Sequence, residues 1–322
     1  MWFGRYPSLV AVDAWNGETW VLAGTAGEAV AFRERLERAA PRVGDAVVGH
    51  IEREDPRLHR ARIERALALI GEGQIYQVNL ARAFDASFEG DPLRLWLDMR
   101  TASPVPLGAY VQTETCTVLA RTMERFLSWD PKSGRLWSAP IKGTIARQGD
   151  DERAAETLVN DAKERAEHSM IVDLMRNDLS RVAEIGSVQV REPLRVEPFA
   201  GLSHLVSTVE CTTRSGVTAA DVLRATFPPG SITGTPKLRA MGVIAELEAT
   251  PRSVYTGCVG YLDRTGGLSL AVAIRTAVVT DEAGVRYFAG GGVVSASDPE
   301  REIAETELKA RVFLDATSSD EG

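Results

Sequence analysis

The chain has 322 residues, of which 44% are hydrophobic, and its formal net charge at pH 7 is −8. That share of apolar residues is enough for a substantial core, and the acidic balance argues against a nucleic-acid-binding face, which needs clustered Lys and Arg. No apolar stretch reaches 18 residues without a charged residue, so we expect no membrane-spanning helix.

The N-terminus lacks the basic and apolar segments of a secretion signal. The three cysteines, Cys116, Cys211 and Cys258, are widely spaced. They form neither a metal-ligand pattern nor an even set for a disulfide framework. We therefore expect a cytoplasmic protein.

Periodicity and turn residues divide the chain after residue 56 into runs of helices and runs of strands. Residues 57–70, for example, have apolar residues at helical spacing and end at Gly71, a helix stop. In chain order we predict a helix over 57–70, a strand over 74–82, a short helix from Asp91-Pro92, strands over 108–145 with a turn at 130–134, a long helix over 151–177, strands over 181–213, helices over 219–248, strands over 254–295 and a helix over 299–314.

Runs of strands separated by runs of helices are typical of an antiparallel α+β fold rather than of a βαβ repeat. We expect one structural domain, with a short N-terminal segment over 1–56, a main body over 57–316 and a disordered tail over 317–322.

Lys142 stands out among the charged residues. Lys and Arg together number 37, but only five of them are lysines. Arg keeps its proton, whereas a neutral Lys is a nucleophile. A lysine in the run Pro140-Ile141-Lys142-Gly143-Thr144 is therefore a candidate for covalent chemistry, although a strand-end lysine that reaches solvent explains the same run.

Two pairs of glutamates have helical spacing. Glu164 and Glu167 are three residues apart, as are Glu302 and Glu305, and Lys309 lies one turn beyond Glu305. Residues three apart share a helix face, and two carboxylate pairs that face a common point would suit Mg²⁺. Ordinary solvated glutamates explain the spacing too.

Arg275 lies within a strand predicted over 268–279 that has two different faces. The even positions from Leu268 to Ile274 are bulky and apolar, whereas the odd positions are small and lead to the Arg275 guanidinium. Small residues that lead to a charge suit the lining of a cavity, and an arginine in a surface ion pair is the alternative.

Gly290-Gly291-Gly292 predicts a place where the backbone approaches a ligand closely, or simply a bulge. His204 taken alone is explained by a core histidine with satisfied hydrogen bonds.

Taken together, eight motifs in order resemble the chorismate-utilising enzymes, and within them the large subunits of aminodeoxychorismate synthases. The resemblance runs from about residue 57 to about residue 314. The motifs are Pro140 to Thr144, Glu164 to Asp178, Gly201 to Ser207, Pro229 to Lys237, Tyr255 to Tyr261, Ala273 to Thr276, Gly290 to Val294 and Glu302 to Lys309.

The resemblance implies an anthranilate synthase component I-like fold, in which antiparallel sheets pack as a sandwich with flanking helices. It also implies a magnesium site in which Glu167 and Glu305 hold the ion and Glu164 and Glu302 assist. The implied substrate-binding residues are Tyr255, Arg275, Gly290, Gly291, Thr144, His204, Thr233 and Lys309.

The resemblance further implies a reaction. Neutral Lys142 would attack chorismate while Glu124, in Met123-Glu124-Arg125-Phe126, protonates the departing C4 hydroxyl, and ammonia would then displace the lysine to give 4-amino-4-deoxychorismate for 4-aminobenzoate and folate synthesis. Thr122-Met123 replaces the family's usual Ser-Pro before Glu124.

Two positions favour this branch of the family. Gln77 stands where isochorismate synthases carry a lysine that activates water, and Lys142 stands where anthranilate synthases carry Ala.

No glutaminase motif of the Gly-x-Cys-x-Gly type is visible, so we expect ammonia to come from a glutamine amidotransferase subunit. Three alternatives stay open: an anthranilate synthase component I that releases pyruvate, a non-catalytic chorismate-binding relative, and a pyridoxal-phosphate enzyme. The last lacks a recognisable phosphate cup.

Overall fold

The computed structural model describes residues 1–40, 42–146, 151–199, 202–282 and 284–317. Within them no helix combines the length and the apolar character needed to cross a membrane. The chain divides into two compact units, Met1–Gly44 and Asp45–Gly322. The predicted tail lies outside the described residues except for Thr317, and the predicted division at residue 56 stays a prediction.

The first unit contains a hairpin and a helix. Strands β1 (Ser8–Val12) and β2 (Thr19–Ala23) pair in antiparallel register, and helix α1 (Ala26–Arg38) follows. Thr25 and Glu28 form a capping box at the start of α1, which satisfies two backbone N–H groups that the helix leaves unpaired.

The second unit holds seven α-helices among its described residues. They are α2 (Pro56–Gly71), α3 (Pro92–Ala102), α4 (Asp151–Asn160), α5 (Ala162–Ser180), α6 (Ala219–Thr226), α7 (Lys237–Leu247) and α8 (Pro299–Thr317), with a 3₁₀ turn at Gly230–Ile232.

The strands of the second unit alternate with these helices in runs. They are β3 (Ala46–Val48), β4 (Glu52–Arg53), β5 (Gln77–Ala86), β6 (Phe88–Gly90), β7 (Ala109–Gln112), β8 (Thr117–Ala120), β9 (Arg125–Trp129), β10 (Arg135–Ala139), β11 (Ile141–Ala146), β12 (Gln189–Phe199), β13 (Leu202–Thr212), β14 (Gly234–Thr235), β15 (Cys258–Leu262), β16 (Leu268–Val272), β17 (Thr276–Thr280) and β18 (Gly284–Val294).

Most of these strands form two antiparallel sheets, each with seven strands among the described residues. One sheet has the order β14-β5-β18-β17-β8-β7, with β4 beside β5. The other has the order β11-β13-β10-β9-β16-β15, with β12 beside β13. The long pairs β5–β18 and β12–β13 anchor the two sheets.

Helices cover the sheets and close the cores. Phe84, Tyr287 and Phe313 belong to a cluster in which α3 and α8 pack on the first sheet. Met175 and Val209 belong to another in which α5 and α6 pack on the second sheet. The α+β fold with antiparallel sheets and flanking helices is therefore confirmed.

Two predicted elements are interrupted. The single helix predicted over 151–177 is two helices, because Asp161 leaves the helical conformation and its side chain accepts the Glu164 N–H at 2.9 Å as the N-cap of α5. The continuous strand predicted over 268–279 is also wrong. It ends at Val272 and resumes at Thr276 in the other sheet, so Arg275 lies on the crossover between the sheets.

Candidate active site

Lys142 lies in β11 opposite Leu205 of β13. The register shifts between Lys142 and Thr144, where Gly143 has a φ of +72°. Glycine is the residue that adopts this left-handed conformation without strain. A Cβ on Gly143 would also fall 3.2 Å from Glu164 Oε2, so the glycine lets α5 bring this carboxylate against the lysine strand.

The Lys142 side chain reaches the other sheet. Its Nζ lies 3.5 Å from the position that a Cβ on Gly292 of β18 would occupy, and Gln77 Nε2 lies 2.9 Å from the same point. Lys142 is half-buried. The amine therefore faces a cleft between the sheets rather than bulk solvent, and the missing side chain of Gly292 leaves the space.

Glu124 is the buried acid of this cleft, with 5% of its surface exposed. Burial raises the pKa of its carboxyl to about 6, although a hydrogen bond with Ser231, the nearby charge of Lys142 and a hydrogen bond with the Ile141 backbone oppose the rise. A carboxyl that holds its proton close to neutral pH suits a general acid.

Tyr255 and Gly290 form one wall. Tyr255 is 6% exposed and stacks on Phe288 with the ring centroids 5.2 Å apart. A Cβ on Gly290 would fall 2.9 Å from both the Tyr255 hydroxyl oxygen and Asn79 Oδ1. The glycine thus keeps open the space at which these two polar atoms converge.

Arg275 and His204 are polar neighbours in the same cleft, since the charge of Arg275 acts on the His204 ring. Arg275 has a φ of +50°, an unfavourable conformation for a residue with a side chain, of the kind that clusters at functional sites. Burial lowers the pKa of His204 to about 4, although its hydrogen bond with the Gly143 carbonyl, 3.1 Å away, opposes the shift. His204 is therefore neutral near pH 7, and its Nδ1 donates to that carbonyl.

Two of the four predicted metal ligands converge. A Cβ on Gly291 would fall 2.9 Å from Glu302 Oε2 and 4.0 Å from the Glu305 carboxyl group. Glu302 is 5% exposed and its Oε1 accepts from Ser297 at 2.7 Å. Lys309 Nζ bonds Glu305 Oε1 at 2.6 Å and the Gly290 carbonyl at 2.9 Å.

The second pair lies on α5. Glu164 approaches Gly143, and Glu167, one turn on, is half-buried. Within the described part of the chain, no group of three or more His, Cys, Asp or Glu side chains is arranged to hold a metal ion. Carboxylate oxygens are the right donors for Mg²⁺, and the Lys309 ammonium shows that the Glu305 carboxylate accepts a cation. The donor types therefore fit the ion, and its binding stays a prediction.

The two predicted threonines are less informative. Thr144 pairs with His204 through the backbone, and its side chain lies outside the described structure. Thr233 is 4% exposed, and its hydroxyl donates to the carbonyls of Pro229 and Gly230 in its own turn. Its role in binding substrate stays a prediction.

Sequence reasoning missed Ser231 and Asn79 of the cleft, and it noted Gln77 only for standing in place of a lysine that activates water. Ser231 bonds Glu124. Gln77 is fully buried, and neither its amide nitrogen nor its oxygen has a hydrogen-bond partner among the described residues; the same is true of Asn79 Oδ1. Ser231 lies in a turn and Asn79 in a strand whose patterns predict no function. The signal for Gln77 and Asn79 was two amides on one face of a strand otherwise rich in apolar residues.

This arrangement defines a two-sheet α+β protein with a lysine, an acid and cationic groups around one cleft. The chain belongs to the family of chorismate binding enzymes, whose model matches residues 5–315.

Named relatives come from two branches of this family. The chain is 44% identical over 245 residues to aminodeoxychorismate synthase component 1 of Escherichia coli, an alignment that covers 75% of the chain and 53% of the relative. It is 40% identical over 257 residues to anthranilate synthase component 1 of Aquifex aeolicus, covering 79% and 51%. The chain therefore spans about half the length of the curated relatives it matches.

A solved structure is similar as well. Anthranilate synthase component I from Streptococcus pneumoniae superposes with a TM-score of 0.86 at 31% identity, over 95% of this chain and 72% of that one. This likeness confirms the predicted fold.

Proposed function

We propose that the chain is the catalytic part of an aminodeoxychorismate synthase large subunit, which converts chorismate and ammonia to 4-amino-4-deoxychorismate. The observation that carries the proposal is that the Lys142 amine lies within electrostatic range of Glu124, a buried carboxyl whose pKa is raised to about 6. Relatives from both branches lie at similar identity, so these side chains, rather than overall similarity, favour one branch.

The proposed reaction has two displacements. Neutral Lys142 attacks C2 of chorismate, a bond forms between its nitrogen and C2, and the bond between C4 and its hydroxyl breaks as Glu124 gives that oxygen a proton. Water leaves. Ammonia then bonds to C4 and expels Lys142, and a proton returns to Glu124. Ser231 and the Ile141 backbone N–H, which bond Glu124, hold the carboxyl in place during both steps.

The remaining residues bind the substrate's charges. In the proposal, the Arg275 guanidinium and the Tyr255 hydroxyl hold the enolpyruvyl carboxylate, since Arg can bind a carboxylate through two parallel hydrogen bonds. Glu167 and Glu305, helped by Glu164 and Glu302, would hold a Mg²⁺ ion. The ion would supply positive charge to the ring carboxylate.

Gln77 bears on the choice of nucleophile. Its side chain lies beside the Lys142 amine at Gly292, and an amide has no basicity with which to activate water. Under the proposal, isochorismate is therefore not a main product. Ammonia, which needs no base to activate it, is the second nucleophile.

The product distinguishes the proposal from an anthranilate synthase. With chorismate, Mg²⁺ and an ammonium salt, the chain is expected to form 4-amino-4-deoxychorismate, detected as 4-aminobenzoate only after a separate aminodeoxychorismate lyase is added. Liquid chromatography with parallel pyruvate and anthranilate assays measures all three. Anthranilate fluorescence, or pyruvate in stoichiometric amount without the lyase, would contradict the proposal.

A further inference from the structure

Arg121, just after β8, is a buried arginine whose guanidinium has few hydrogen-bond acceptors among the described residues. It is 1% exposed, and its Nε donates to the Ser103 carbonyl at 2.7 Å. Among the described residues neither Nη1 nor Nη2 has a hydrogen-bond partner. The four N–H groups of these two nitrogens need acceptors, because a buried charge without them is strongly destabilising.

Arg82, a second buried arginine of the same sheet, has partners for its charge and serves as a comparison. It is also 1% exposed, but its Nε donates to the Thr306 hydroxyl and its Nη2 pairs with the Glu307 carboxylate. Burial lowers the pKa of Arg121, and the two ionisable side chains that act on it most are those of Tyr287, which burial keeps neutral, and Arg275. Within the described part of the chain, no acid pairs with Arg121 as Glu307 pairs with Arg82.

Arg121 is also a direct neighbour of Arg275. The Arg121 N–H donates to the Arg275 carbonyl at 3.1 Å, one step beyond the pair formed by Ala120 and Thr276. Tyr287, which is fully buried, lies within electrostatic range of both guanidinium groups. Two neighbouring cations in a medium of low dielectric repel each other, and an anion between them would relieve the repulsion.

We propose that Arg121 and Arg275 together bind one carboxylate, and that this carboxylate belongs to the substrate. The proposal rests on the proposed function for the identity of the substrate. It adds a second guanidinium to the predicted binding set, in which Arg275 and Tyr255 were the only groups assigned to the enolpyruvyl carboxylate. In this scheme Arg121 is a binding residue that fixes the orientation of the substrate.

A double-mutant cycle tests the shared carboxylate. Arg121→Met, Arg275→Met and the double variant are compared for chorismate binding by calorimetry and for kcat and KM. A lost charge-assisted hydrogen bond weakens binding by about ten- to a hundredfold, so Arg121→Met is expected to raise Kd and KM by that factor. The double variant is expected to lose less than the product of the two single losses, because both side chains hold one group.

The matched control is Arg82→Met, which removes an equally buried arginine from the same sheet and is expected to change Kd by less than about threefold. If Arg121→Met does not fold, Arg121→Lys keeps the charge and loses the planar fork, and it is expected to raise KM while its melting temperature stays close to that of the wild type. A Kd for chorismate that stays within about twofold in both Arg121 variants overturns the proposal, as do independent losses in the cycle.

A second arm separates substrate from free anion. Sodium acetate and sodium chloride are compared at equal ionic strength for their effect on the melting temperature of the wild type and of Arg121→Met. One outcome overturns the substrate assignment. If either salt raises the melting temperature of the wild type but not of Arg121→Met, and Arg121→Met binds chorismate as the wild type does, then Arg121 and Arg275 bind a free anion. If the wild type binds no chorismate, the proposed function fails, and the acetate comparison alone decides whether the pair takes a carboxylate.

Discussion

In the proposed reaction the Lys142 amine has to reach the substrate across the gap between two sheets. Its position near Gly292 and Gln77 meets that need. Incubation with chorismate and Mg²⁺ in the absence of ammonia is therefore expected to leave a population of protein that carries chorismate minus water, and peptide mass spectrometry is expected to place the adduct on Lys142.

Lys132 supplies the matched control for this prediction, because it is an exposed lysine in the turn between β9 and β10. Lys132→Ala is expected to form the adduct at the wild-type level, and Lys142→Ala to form none. An adduct on another lysine, or full turnover by Lys142→Ala, would rule out the nucleophile.

Glu124 gives the covalent step a distinct pH dependence. Its pKa is raised by burial to about 6, so the acid form that donates the proton is full below that pH and falls about tenfold for each pH unit above it. The rate of adduct formation without ammonia also depends on neutral Lys142, so the wild type is compared with Glu124→Gln, which has the same lysine but cannot donate. The ratio of the two rates is expected to be about 10²–10⁴ below pH 6 and to follow this fall above it.

Stability supplies a measurement that is independent of activity. A carboxyl with a raised folded-state pKa stabilises the native protein fully at a pH below its unfolded value, and this contribution is lost as pH rises through about 6. Glu124→Gln is therefore expected to be more stable than the wild type above pH 6, by up to about 2 kcal/mol. Glu246→Gln, at an exposed position on α7, should show no such difference; equal stability of Glu124→Gln and the wild type at high pH would count against the buried ionised carboxylate.

At the scale of elements, one buried ion pair joins α5, α6 and α7 around the turn that carries Ser231. Lys237 at the start of α7 pairs with Asp178 near the end of α5, and its Nζ also donates to the carbonyls of Thr226 and Pro228 at 2.9 Å each. The side chains are 15% and 4% exposed. All three ammonium protons are therefore used, which makes the turn from 226 to 237 rigid.

Removal of this lysine is expected to be costly. Lys237→Met leaves the Asp178 charge buried without its partner, which lowers the free energy of unfolding by about 3–5 kcal/mol. The double variant Lys237→Met/Asp178→Leu should recover much of that loss, since no charge is left behind. Urea unfolding measures both.

The exposed pair Arg224–Asp221 is the control for the buried pair. Its side chains are 76% and 45% exposed, and Arg224→Met is expected to change the free energy of unfolding by about 0–1 kcal/mol. Equal losses in Lys237→Met and Arg224→Met would show that the buried pair has no special role.

The elements also show where sequence information is sufficient. Helical spacing alone predicted that Glu302 and Glu305 share one helix face, and both carboxylates do lie near Gly291, because spacing on one helix is a local property. Asp161 was missed as the cap that divides the helix over 151–177, since an Asp in the middle of a helical pattern is equally compatible with its solvent-facing side.

At the scale of the whole molecule, sequence patterns do not predict the long-range contacts. The approach of Lys142 to Gln77 depends on how two separate sheets face each other, and no periodicity encodes it. Arg121 and Arg275 meet because the chain crosses from one sheet to the other at residues 273–275; the sequence instead predicted one continuous strand. The order of the motifs was sufficient to predict the family and the fold, because members of one family share the packing of their helices and strands.

The net charge of −8 gives the whole molecule a negative electrostatic field. The overall field would repel the proposed substrate, which has two carboxylates, so its binding would depend on positive groups placed locally. Arg275 and Lys309 act electrostatically on His204 in the cleft. In the proposed function they would attract the substrate carboxylates at short range, where direct contacts outweigh the overall field.

The proposed reaction needs a source of ammonia, and this requirement concerns the whole molecule. The printed sequence has no Gly-x-Cys-x-Gly nucleophile with a later His-x-Glu, which glutamine hydrolysis would need. The purified chain is therefore expected to use ammonium salts, best at alkaline pH where unprotonated ammonia is plentiful, and to make no 4-amino-4-deoxychorismate from glutamine. Addition of a glutamine amidotransferase subunit is expected to confer glutamine use. The same subunit with its catalytic cysteine replaced by alanine is the control, because it can still bind but releases no ammonia. Glutamine-dependent product from the chain by itself would show that it hydrolyses glutamine unaided, and would remove the need for the partner.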